Sequence, residues 1–220
     1  MFVLSYIAVA VVAYLLGSIP TGFLVAKVRG VDIRAVGSGN IGAANTFRAV
    51  GKIAGIFVLL MDALKGVAAV LVCFPILKLF GITHPAVTIH YRVLAGAFVV
   101  LGHNYTCWLH FKGGKGIATT GGAYLALAPI SVLFALLAFV VGFGVTRITS
   151  VGSIMAAITL PTVVCLTKDD WTLRIVTLAL GVLALLKHRT NIQRLIAGTE
   201  NRVEFKKRAP EQAKSGSTHL

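Results

Sequence analysis

From Ile117 to Thr146 the chain runs 30 residues without a charged side chain, and from Phe2 to Ala26 it runs another 25. About 20 apolar helical residues cross the hydrocarbon core of a bilayer, so runs of this length belong in lipid. Backbone polar groups there must be paired within the chain, and the expected fold is a helical bundle. With 57% apolar and 13% charged residues and a mean hydropathy of +0.87, the chain leaves no room for a separate soluble domain. Phe2 to Ala26 has no basic leading segment and exceeds the apolar length of a signal peptide, so it reads as a retained first span. Cys73, Cys107 and Cys165 are odd in number and two lie in expected spans, which argues against a disulfide framework.

The hydropathy pattern predicts seven spans, over residues 3–25, 53–77, 86–102, 115–128, 130–146, 151–167 and 171–186. Pro129, in the middle of the longest uncharged run, favours two short helices there over one tilted helix. With seven spans, sixteen of the 21 lysines and arginines fall on one side. Lys78, Arg92, Lys168 and Arg174 fall on the other, and Lys65 lies within a span. The positive-inside rule then places the N-terminus outside and the C-terminus in the cytosol. The net charge of +14 sits beside apolar runs, a distribution that reports topology and anionic lipid contact and not nucleic-acid binding. Residues 1–200 form the expected transmembrane domain, and residues 201–220 a polar, disordered cytosolic tail.

Three polar segments abut the ends of apolar runs, and on this topology all three face the cytosol. In GSGNIGAAN, from Gly37 to Asn45, Gly37, Gly39 and Gly42 allow backbone amides to approach an anion, and Ser38 and Asn40 add donors. Arg48 follows with a guanidinium suited to bidentate phosphate contact. A glycine-rich turn with a capping serine is an equally good reading of this segment alone. In the second segment, Lys112 and Lys115 bracket Gly113 and Gly114, with His103 and Asn104 before them and Thr119 and Thr120 after. Two ammonium groups beside so compact a backbone favour a phosphate loop over snorkelling lysines. The third segment supplies His188, Asn191 and Glu200: a titratable ring, an amide and a carboxylate. Taken alone, His188 reads as a cation at a helix C-terminus. Asp62 and Lys65, three apart within a span, share a helix face; either they neutralise each other as a strut, or Lys65 contacts a substrate. Gly66 after them permits close helix approach.

These residues resemble the bacterial integral-membrane acyl-phosphate:glycerol-3-phosphate acyltransferases. GSGNIGAAN is similar to that family's first motif, Gly102 to Thr119 to its second, and His188 to Glu200 to its third. Ala44, Thr106 and Trp108 stand where the family commonly has threonine, proline and phenylalanine. The resemblance implies a seven-span bundle that acylates the sn-1 hydroxyl of glycerol 3-phosphate from a long-chain acyl phosphate, in contact with membrane lipid. It implies His188, Asn191, Ser38 and Arg48 as catalytic residues, and Asn40, His103, Lys112, Gly113, Gly114, Lys115 and Glu200 as substrate-binding residues. Acyl phosphate is already an activated mixed anhydride, so no metal, cofactor or acyl-enzyme is expected. No adjacent serine, histidine and carboxylate set is present for nucleophilic catalysis, and His188, His103 or a substrate phosphate oxygen is left to take the proton.

Two other classes fit the composition. An organic-anion or phosphate transporter also wants cations near a bundle, but it needs access from both faces, and no internal repeat is visible. A structural or lipid-binding membrane protein would use the cations for headgroups alone and show no turnover.

Overall fold

The computed structural model describes residues 2–203, and all of its regular structure is helical. The helices are α1 (Phe2–Ser18), α2 (Thr21–Val28), α3 (Ala43–Ala49), α4 (Lys52–Leu79), α5 (Pro85–Asn104), α6 (Ile117–Leu127), α7 (Pro129–Thr146), α8 (Thr149–Thr167), α9 (Trp171–Lys187) and α10 (Arg189–Ile196). A single 3₁₀ turn, Cys107–Leu109, lies between α5 and α6. Most of the expected tail, residues 204–220, lies outside the described residues.

Lipid exposure explains the apolar runs. On α7, Leu133, Leu136, Leu137, Val140 and Val141 are each more than half exposed, a pattern a water-facing helix does not tolerate. Without a hydrophobic drive between helices in lipid, close packing at small residues holds the bundle. A Cβ on Gly66 of α4 would stand 2.2 Å from Thr119 O, and one on Gly122 of α6 would stand 1.9 Å from Ala63 O. Those two glycines bring α4 and α6 into backbone contact, as the position of Gly66 predicts. Gly17 and Gly102 do the same for α1 and α5, where added Cβ atoms would meet Val99 O and Tyr14 O. The three cysteines are free.

Four helical stretches are long and apolar enough to cross a bilayer, α1 with α2, α4, α7 and α8; a fifth is gained if α9 and α10 count as one span across their 54° bend. The two remaining expected spans coincide with α5, which carries His90, Arg92 and His103, and with α6, which has 11 residues. The split at Pro129 is as the sequence predicts: α6 stops at Leu127 and α7 starts at the proline. The first span is not the continuous helix expected over 3–25. Pro20 has no N–H to extend the ladder, so α1 ends at Ser18 and α2 restarts at Thr21. The carbonyls freed at the break find side-chain donors: Thr106 Oγ1 donates to Ser18 O at 2.6 Å and Lys65 Nζ to Ile19 O at 3.0 Å. Thr106 keeps φ at −64°, the value a proline would impose there.

Candidate active site

The first polar segment is shaped by Asn45, which is wholly internal to α3's first turn. Its Oδ1 accepts from the Ser38 N–H at 3.0 Å, and its Nδ2 donates to Ile33 O and Val36 O. Gly37 and Gly39 sit at φ +62° and +67°, a left-handed geometry that glycine adopts without a Cβ clash. Asn40 closes a small turn, accepting from the Gly42 N–H at 2.9 Å. The segment thus delivers α3, and Arg48 on it, toward the start of α8, where Arg48 Nη2 donates to Thr149 Oγ1 at 3.1 Å. Arg48 Nε is buried with no hydrogen-bond partner among the described residues.

The second segment folds back onto the end of α5. The N–H groups of Gly113 and Gly114 donate to Asn104 O at 3.2 Å and His103 O at 2.9 Å. Added Cβ atoms would stand 2.1 Å from His103 O and 2.0 Å from His103 Nε2, so the paired glycines are a steric requirement of this approach. Lys187 Nζ braces the same turn by donating to Asn104 O at 3.1 Å. Lys115 follows the glycines, ahead of α6, and points to the third segment; Lys112 is exposed.

The third segment is a helix, α10, bent away from α9 at His188. Lys115 Nζ donates to Asn191 Oδ1. Asn191 Nδ2 donates to Glu200 Oε1 at 2.6 Å, Ser150 Oγ to the same oxygen at 2.9 Å, and Arg194 Nε to Glu200 Oε2 at 2.6 Å. Glu200 is therefore the shared acceptor of a network that joins α8, α10 and the glycine loop. Its hydrogen bonds with Arg194, Asn191 and Ser150 outweigh partial burial and hold its carboxyl below the ordinary range.

Lys115 lies within electrostatic reach of Glu200, Arg194 and Arg48. Burial, first, and the two guanidinium groups push its ammonium down to about 8, against the pull of Glu200. His188 is 3% exposed, and the expected C-terminal cation is absent: burial, reinforced by Lys115, pushes the imidazole down to about 4 and leaves it neutral at pH 7. Its Nδ1 lies 2.8 Å from Ala184 O, and a carbonyl only accepts, so the proton sits on Nδ1 and the Nε2 lone pair is free.

The structure thus gathers Lys115, Asn191, Glu200, Arg48 and His188 at one end of the bundle. No hydrogen bond ties Ser38, Asn40 or Lys112 into this network among the described residues, and His103 turns its Nδ1 the other way, toward Asp62. Sequence reasoning missed four participants. Arg194 counted only as a positive-inside charge. Thr149 and Ser150 open an apolar span without a motif around them. Asn45 lies inside the first motif, and an asparagine in the first turn of a helix is a signal for local backbone pairing.

A family model described as glycerol-3-phosphate acyltransferase matches residues 7–198. The chain is 46% identical over 199 residues to the glycerol-3-phosphate acyltransferase of Geobacter sulfurreducens, covering 90% of this chain and 98% of that one. It is 44% identical over 208 residues to that of Clostridioides difficile, covering 94% and 100%. Among solved structures it is similar to the glycerol 3-phosphate form of an integral membrane glycerol 3-phosphate acyltransferase, with a TM-score of 0.82 and 38% identity over 91% of this chain and 96% of that one. The lysophosphatidic acid form of that enzyme gives a TM-score of 0.79 at 37% identity, with the same coverage.

Proposed function

This chain belongs to the glycerol-3-phosphate acyltransferase family, and we propose that it transfers a fatty acyl group from a long-chain acyl phosphate to the sn-1 hydroxyl of glycerol 3-phosphate, yielding lysophosphatidate and inorganic phosphate. The observation that carries this reading is the charge at the converged loops. Lys115, Arg48 and Arg194 face a single carboxylate, Glu200, which leaves an excess of two positive charges. A phosphate dianion matches that excess. The unpaired Nε–H of Arg48, buried beside it, is the donor such an anion would satisfy.

Lys115, with Lys112 at the rim, takes the phosphate of glycerol 3-phosphate, and Gly113 and Gly114, whose N–H groups stay on Asn104 O and His103 O, shape the loop that presents it. Ser38, Asn40 and Arg48 take that of the donor, whose acyl chain lies along the bundle or in lipid. With both held, the glycerol hydroxyl attacks the donor carbonyl; the tetrahedral oxyanion collapses and phosphate leaves with the C–O bonding pair. His188 Nε2 accepts the hydroxyl proton. Two phosphate groups arriving beside it raise its pKa from about 4 toward a useful range. Asn191 and Glu200 hold Lys115 and the start of α10 in register. A seven-span topology with the site in the cytosol of a bacterial inner membrane, where soluble glycerol 3-phosphate would reach it, is supported by the charge asymmetry.

The test is a donor comparison on detergent-purified protein. Glycerol 3-phosphate is supplied with palmitoyl phosphate, palmitoyl-CoA or a palmitoyl carrier-protein thioester, and phosphate and lysolipid are followed separately. Equimolar phosphate and lysophosphatidate from palmitoyl phosphate is the expected result; lysolipid from a thioester without phosphate release overturns the donor assignment.

A further inference from the structure

Asp62 and Lys65 have no part in the reaction as drawn above, yet they sit one turn apart in α4 with almost no exposure. Asp62 Oδ1 accepts from Lys65 Nζ at 2.9 Å and from Thr21 Oγ1 at 3.3 Å, and lies 3.6 Å from His103 Nδ1. Lys65 Nζ also donates to Ile19 O, at the break between α1 and α2. Three polar side chains, from α2, α4 and α5, thus meet around one carboxylate oxygen. Stability is a weak reason for such a cluster, because a buried ion pair contributes little over apolar packing of the same volume.

The far side of His103 supplies a stronger reason. Its ring touches the Gly114 backbone so closely that a Cβ there would stand 2.0 Å from Nε2, and its carbonyl accepts the Gly114 N–H at 2.9 Å. The next residue is Lys115. One imidazole is therefore held between the Asp62 carboxylate and the loop that presents the Lys115 ammonium.

We propose that Asp62 is a positioning residue for the glycerol 3-phosphate half of the reaction, acting through His103 to fix the Gly113–Lys115 loop. It touches neither substrate. The inference rests on the assignment of that loop to glycerol 3-phosphate made above. A loop shifted by about an ångström costs a bound substrate on the order of tenfold to a hundredfold.

Asp62→Asn alone strands the Lys65 ammonium in the bundle, so the informative variant is D62N/K65Q, which removes both charges at nearly constant volume. It is compared with the unmodified protein by melting temperature in detergent, by calorimetric titration with glycerol 3-phosphate in the absence of any acyl donor, and by KM for each substrate. The expected result is an unchanged melting temperature, a Kd and KM for glycerol 3-phosphate raised on the order of tenfold or more, and a donor KM within about twofold of the original. A glycerol 3-phosphate Kd equal to that of the unmodified protein overturns the proposal, as does an equal rise in both KM values with a lowered melting temperature. The donor-free titration separates this claim from the donor assignment: weakened glycerol 3-phosphate binding in the variant supports the positioning role even if palmitoyl phosphate proves not to be the donor.

Discussion

Lys115 donates to the Asn191 side chain across 76 positions of chain, joining the glycine loop before α6 to the helix that follows α9. The contact puts the second and third polar segments on the same end of the bundle. Removing the ammonium removes one of the three cations that face Glu200. Lys115→Ala is expected to lower kcat/KM on the order of a hundredfold to a thousandfold, the scale for losing one charge-stabilising donor in a closed site. Phosphate and lysolipid release at saturating donor measures it, and unchanged kinetics would remove the phosphate-loop assignment.

The depressed Lys115 pKa predicts a basic limb in the pH profile. With its folded value at about 8, Lys115 loses its positive charge as pH rises through 8, well below the ordinary lysine range. The value of kcat/KM for glycerol 3-phosphate should therefore fall with unit slope above pH 8. Lys115→Arg, which stays protonated, should flatten that limb even if its rate is lower. A profile flat to pH 9.5 in the unmodified protein contradicts the assignment.

His188 predicts the acid side, for stability. Its folded pKa of about 4 lies below its ordinary value of 6.5, so between the two the unfolded chain binds the proton and the folded chain does not. The stability gained by keeping the ring neutral is fully present above pH 6.5 and is lost as pH falls through 4. Glu200, lowered from 4.5, adds a loss only below that value. Melting temperature should decline between pH 6.5 and 4.5 in the unmodified protein and much less in His188→Gln; parallel curves would show that His188 is not the titrating group.

The glycines divide into those that must be glycine and those that need not be. Gly114→Ala places a methyl 2.0 Å from His103 Nε2 and is expected to destabilise by about 1–3 kcal/mol while abolishing activity. Gly121→Ala, with nothing within 4 Å and no left-handed backbone, should retain both. Thermal unfolding and turnover of the two variants side by side provide the check.

Glu200 accepts from three side chains, so Glu200→Gln keeps the shape but forces an amide N–H against donors. Unpaired donors left at Arg194, Asn191 or Ser150 cost about 1–3 kcal/mol each, and the expected result is a lower melting temperature with a reduced rate. Wild-type stability in that variant would show that the carboxylate charge does not organise α10.

Much of this protein is written along its chain. Uncharged runs too long for a water-soluble core determine helices in lipid, because that solvent leaves backbone groups no other partner, and Pro129 marks the break between two of them. Glycine pairs, cations and amides at the ends of those runs mark the three segments from which the candidate site is drawn. Other features depend on which helix lies beside which. Hydropathy averages across a single proline and so hides the break at Pro20, whose freed carbonyls are satisfied by Thr106 and Lys65, 88 and 46 residues away. Ser150, Thr149 and Arg194 look ordinary in sequence and become site residues only where α8 and α10 meet Glu200 and Arg48. The neutral state of His188 is likewise a property of its burial beside Lys115, which no neighbouring residue in the chain encodes. Local chemistry selects segments; charge balance and proton affinity are summed over everything packed around them, and that sum exists only once the helices have docked.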